Sequence, residues 1–190
     1  FGEEGYYKDK IAAALPRAVF GDAAPEDREI TVFERDTDIK EISAAVNTYP
    51  FFSGRSLVII KDEKLWGGKD GGEKRKQQQE ELAELLADVP EHCQVLLLGE
   101  KIDKRGKLYK SLLKTAAMVE CKSLKSYQLK PWLDEQAALR GCRFDYEASQ
   151  TIMEYLSVTD NAPLLLLEQE IEKLSVYAGE RKIWTKDDIE

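Results

Sequence analysis

Up to about residue 122, short apolar runs alternate with stretches of helical periodicity, and this alternation restricts the fold more than any other feature of the chain. "SLVIIK" (56–61) and "CQVLLLG" (93–99) are short and almost continuously apolar, the pattern of strands buried on both faces. "REITVFERD" (28–36) alternates apolar and polar residues, and "MVECKSL" (118–124) reads as a last strand. Between them lie helical stretches. The first is "DKIAAALPRA" (9–18), bent or ended by Pro16. The next, 38–46, has Ile39, Ile42, Ala45 and Val46 at helical spacing, and 80–89 and 105–116 follow. Strands separated by helices predict an α/β domain, a parallel sheet flanked by helices on both faces.

After about residue 123 the strand signal stops. Helices are predicted over 128–141, 145–158 and 162–179, with Gly141 and Gly179 past the ends of the first and third. Asp145 and Asn161 are the expected N-caps. The division is therefore an α/β domain over 1–123 and a small three-helix lid over 124–190. The tail "KIWTKDDIE" reads as the start of another helix capped by Thr185, so the chain is expected to have continued. "WGGKDGGEKRKQQQ" (66–79), with four glycines, reads as a loop leading into a helix.

A chain of 190 residues, 43% hydrophobic and 34% charged, can bury a substantial core. Its net charge of −8 argues against indiscriminate attraction to nucleic acid or anionic lipid. No apolar run approaches the roughly 20 residues of a membrane span. No signal sequence opens the chain, and a start at Phe1 suggests a missing N-terminus. Cys93, Cys121 and Cys142 lie far apart, and His92 is the sole histidine, so no zinc site is expected and the thiols are read as reduced.

An α/β domain followed by a helical lid is a common nucleotide-binding shape, but the phosphate loop is missing. The frame Gly2–Asp9 places Gly2 and Lys8 in register with G-x-x-x-x-G-K-[ST]. Tyr7 and Asp9 then occupy the positions of the second glycine and the hydroxyl, while Glu3 and Glu4 oppose phosphate. Asp62 and Glu63, after the 56–61 run, are a weak candidate for magnesium because Lys61 intervenes. No cofactor or catalytic residue is expected.

"NTYPFFSGRS" (47–56) puts Phe51 and Phe52 side by side among turn residues. They either pack inward or dock into something else, and the residues alone leave the two readings even. Residues 101–130 hold nine Lys or Arg, including Lys101, Lys104, Arg105, Lys107 and Lys110, against Asp103 and Glu120. Such a face meets a DNA backbone, an acidic partner or only solvent.

Several segments, in order, resemble the delta subunit of the bacterial DNA polymerase III clamp loader: "FGEE", "VNTYPFFSGRSLVII", "EKIDKRGKLYKSLLK", "VECKSLKSYQLKPWL" and "EIEKLSVYAGERKIWTKDDIE". The resemblance runs essentially end to end. It implies an AAA+-like domain without ATPase activity, a helical lid, and a collar domain absent from this chain. It further implies a cytoplasmic accessory subunit of the DNA-directed DNA polymerase holoenzyme, working with the other clamp-loader subunits, gamma/tau and delta prime. Its task would be to bind the beta sliding clamp and open one ring interface for loading on primed DNA. By position in the motif, Phe51 and Phe52 would enter a hydrophobic pocket of the clamp, with Tyr49 and Pro50 stiffening their presentation. The family often carries leucine at the first position, so Phe51 is bulkier there. Two other readings stand beside it: an active AAA+ NTPase whose phosphate loop precedes Phe1, and a same-fold adaptor in DNA repair.

Overall fold

The structure, a computed structural model, describes residues 1–34, 37–61, 73–157 and 163–189. It divides into two compact units, Phe1–Lys122 and Ser123–Glu190. In the first unit, Glu29–Phe33 (β1), Ser56–Ile60 (β2) and Cys93–Leu97 (β3) pair in parallel in the order β1-β2-β3. Every residue of β2 is buried, because the strand has a neighbour on each edge and helices on each face. Its alternate side chains serve two cores. Val58 and Ile60 pack with Ile39, Ile42 and Val46 of Ile39–Asn47 (α2), Leu82 and Leu86 of Glu73–Ala87 (α3), and Leu108 and Leu112 of Lys107–Thr115 (α4). Leu57 and Ile59 pack with Val19 and Phe20 of Gly5–Phe20 (α1). The period of two in a strand turns one apolar run into the shared centre of both layers.

Three boundaries differ from the sequence reading. Helix α1 continues through Pro16 to Phe20, since a proline in the last turns removes only one intrahelical bond and Gly21 then ends the helix. Helix α3 starts at Glu73 within the stretch read as loop. Residues 118–124 form no strand of the sheet. Their backbone is taken up by the chain's first residues: Phe1 N donates to Val119 O (2.8 Å) and Glu4 N to Cys121 O (3.1 Å), while Cys121 N donates to Phe1 O. Gly2 N bonds Gly99 O on the other side. Gly2 has φ 137°, and a Cβ there would lie 2.0 Å from the carbonyl oxygen of Cys121, so this strip admits no side chain.

The second unit holds Ser126–Leu139 (α5), Tyr146–Ser157 (α6) and Leu164–Ala178 (α7). Asp145 Oδ1 accepts from Ala148 N (2.7 Å) as an N-cap should, whereas the expected cap Asn161 lies outside the described residues, as do Asp62 and Glu63. The tail is a correction. Arg143–Phe144 (β4) and Ile183–Trp184 (β5) form a two-residue parallel pair, too short to leave a periodic signal. Asp145 N reaches Trp184 O (2.9 Å), and Trp184, wholly buried, meets the Phe144 ring at 5.1 Å. Thr185 then opens only the short 3₁₀ turn Lys186–Asp188.

Asp188 closes that turn. Its carboxylate accepts from Thr185 N (2.8 Å) and pairs with Arg181 (2.6 Å), and its side chain is 3% exposed. The Thr185 N–H, then Arg181, hold its pKa below the usual carboxylate value. A carboxyl lowered by folding stabilises fully above its unfolded value, about pH 4, and that contribution is lost as pH falls through the lower folded value. Thermal melting of the second unit should therefore decline below about pH 4 more steeply than in an Asp188→Asn variant. Equal slopes would remove Asp188 from the account.

Among the described residues no helix is long and apolar enough to cross a membrane, and no group of His, Cys, Asp and Glu side chains is arranged to hold a metal ion. Cys93, Cys121 and Cys142 are unpaired, and burial pushes the Cys93 thiol up.

Candidate functional site

The parallel sheet places the connection from α2 to β2 at the edge where its strands begin. Helix α2 ends cleanly: Thr48 N and Oγ1 both donate to Ala44 O, and Asn47 Nδ2 donates to Ser43 O at 2.8 Å. Pro50 then blocks further helix and biases Tyr49 toward extended backbone. Pro50 itself is buried, while Phe51 is 86% exposed, Phe52 66% and Tyr49 72%. The inward-packing reading of the phenylalanines is thus not the arrangement found. Their rings meet edge to face at 5.1 Å and form one apolar knob. Gly54, at φ 65°, and a Ser53 Oγ to Arg55 O bond (2.7 Å) turn the chain into β2.

The knob is tethered from three places. Phe51 N donates to both carboxylate oxygens of Glu29, at 2.7 and 2.9 Å. The Tyr49 ring lies 5.1 Å from that of His92, whose carbonyl accepts from Ser56 N at 2.8 Å. Glu29, Ser56 and Cys93 are the first residues of β1, β2 and β3 and stand in register, so all three anchors sit on or beside one row across the sheet. Sequence reasoning missed Glu29 and weighed His92 as a zinc ligand. Neither carries a local signal, since Glu29 lies 22 residues from Phe51 and meets it only because β1 and β2 pair.

The frame examined as a phosphate loop lies at the other edge, near Gly99 beyond the end of β3. There α1 begins at Gly5, and Glu4 fills the anion position itself, its carboxylate accepting from Tyr6 N at 3.0 Å. A helix N-terminus capped by its own carboxylate opposes a phosphate both sterically and by charge.

The basic stretch is partly neutralised. Lys104 pairs with Glu120 (2.8 Å) and Lys107 with Glu80 (2.7 Å), which raises both lysines and lowers both glutamates. Lys101, Arg105 and Lys110 are exposed and form no ion pair with another described residue. The five cations named from sequence thus form two groups, one internally balanced and one open to solvent.

Comparison with known proteins converges on one family. The family profile for the delta subunit of DNA polymerase III matches residues 9–122. The DNA polymerase III subunit delta of Bacillus subtilis (strain 168) is 29% identical, with 100% of this chain and 54% of that protein aligned. The solved Bacillus subtilis DNA clamp loader delta protein (YqeN) superposes with a TM-score of 0.75 at 27% identity, covering 99% of this chain and 55% of that one. The chain thus spans about half the length of the relatives it matches.

Proposed function

The chain belongs to the DNA polymerase III delta subunit family, and from that premise we propose that it is the non-catalytic, clamp-engaging part of a clamp-loader subunit. It binds the beta sliding clamp through Phe51 and Phe52, with Tyr49 and Pro50 shaping the turn, and favours opening of one ring interface. The exposed, tethered aromatic knob carries this reading. A protein without fuel opens a ring by binding the open form better than the closed one, since only differential affinity shifts an equilibrium. ATP would be used by the gamma/tau subunits, which together with delta prime complete the assembly on primed DNA in the bacterial cytoplasm. The Glu4-capped helix supports a passive role over an active NTPase. A repair adaptor of the same fold would have no need of the knob. Calorimetric titration of the folded chain into the cognate clamp tests the proposal, and absence of binding sinks it.

For the basic stretch, Lys101, Arg105 and Lys110 are assigned to phosphate contact within the assembly, and Lys104 and Lys107 to internal ion pairs. Replacing the first three with alanine should flatten the salt dependence of DNA binding by the assembled loader, with a slope change of about 0.9 per lost phosphate contact. The Lys104/Lys107 pair of substitutions should change it less. The reverse ranking would overturn the assignment.

A further inference from the structure

The Phe51–Phe52 knob sits in a loop, and a loop that reorders on docking loses affinity to conformational entropy. Holding that loop in one shape before docking therefore adds affinity without any contact with the partner. The described structure supplies a specific holder. Glu29 directs both carboxylate oxygens at a single donor, the Phe51 N–H, at 2.7 and 2.9 Å, across 22 residues of sequence. A charged acceptor makes a shorter and stronger bond than a neutral one. The bond falls on the backbone of the first residue of the knob, so it fixes where the chain turns outward and leaves both rings exposed.

Glu29 is itself fixed, being the first residue of β1 and in register with Ser56, where the same loop ends. The two ends of the turn are thereby set against one rigid row, Glu29 holding Phe51 and His92 O holding Ser56 N at 2.8 Å. We propose that Glu29 is a positioning residue for clamp binding: its carboxylate grips the Phe51 N–H and presents the aromatic pair in the geometry that docks. This rests on the clamp-binding role proposed above. Glu29 touches no partner in this account and acts only through the backbone of Phe51.

The test combines two readouts on the folded chain and its Glu29→Ala and Glu29→Gln variants. Amide hydrogen exchange at Phe51, followed by NMR without the clamp, reads the grip alone. Exchange should quicken about tenfold in Glu29→Ala and much less in Glu29→Gln, which keeps one carbonyl acceptor. Calorimetric titration into the cognate clamp should show affinity about tenfold weaker for Glu29→Ala, largely restored in Glu29→Gln, with an unchanged melting temperature. In a Phe51→Ala/Phe52→Ala background the Glu29→Ala effect on clamp affinity should vanish, because there is no knob left to position. Equal exchange at Phe51 in all variants overturns the grip. Altered exchange with equal clamp affinity shows a bond that holds the loop without serving binding, and also overturns the proposal. If even the unaltered chain fails to bind the clamp, the fault lies with the clamp reading, and the exchange data still report whether Glu29 orders the loop.

Discussion

The Phe51→Ala/Phe52→Ala double variant is expected to bind the sliding clamp at least about 100-fold more weakly than the unaltered chain. Two exposed rings that become buried in a pocket contribute roughly 1.5–3 kcal/mol each before ordering costs, and pairs of this kind dominate the interfaces they serve. The same substitution should leave stability almost untouched, because neither ring belongs to either core of the first unit. That combination, lost binding with retained melting temperature, separates a docking knob from a structural anchor. Calorimetry against the clamp, with circular dichroism as the control for folding, reads both. Single variants should divide the loss unequally, with the larger share at Phe51, the more exposed of the two rings. Equal affinity of double variant and unaltered chain would assign the clamp contact to another surface.

The second large effect lies in the other unit. Trp184 is wholly buried, belongs to the short β4–β5 pair and meets the Phe144 ring edge-on. Truncation of such a residue to alanine costs about 3–5 kcal/mol, which is most of the stability available to a unit this small. Trp184→Ala is therefore expected to abolish the cooperative melting of Ser123–Glu190 while Phe1–Lys122 still unfolds as before. Trp184→Phe should cost much less. It fills most of the space, and it removes an indole N–H that is buried without a hydrogen-bond partner in the described structure. Differential scanning calorimetry of the three chains distinguishes these cases. Similar traces for all three would show that the second unit does not depend on this ring.

The parallel sheet was legible because β2 and β3 are near-continuous apolar runs, and α2 because Ile39, Ile42 and Val46 recur on one face. What escaped was structure made by long-range pairing. A two-residue strand such as Ile183–Trp184 has no period, and Cys121 is fixed by a partner 120 residues earlier in the chain, Phe1, which no local pattern announces. The site divides in the same way. Phe51 and Phe52 stood out because apolar rings are unexpected in a turn, whereas Glu29 looks like any surface carboxylate until β1 lies beside β2. The pairing inside the basic stretch was equally hidden, since Glu80 reaches Lys107 across 27 residues and Glu120 reaches Lys104 across 16.

The central position of β2 gives the turn an unusual mechanical footing. Through Ser53–Arg55, part of any load on Phe51 and Phe52 reaches the start of β2, the central strand of the sheet. The ladder bonds to β1 and β3 run across the strand axis on both sides. A load applied this way is shared by the whole set of bonds in shear, where a peeling edge strand would break them one at a time. The part of such a load that reaches β2 is met by the strand that is hardest to draw out of the sheet.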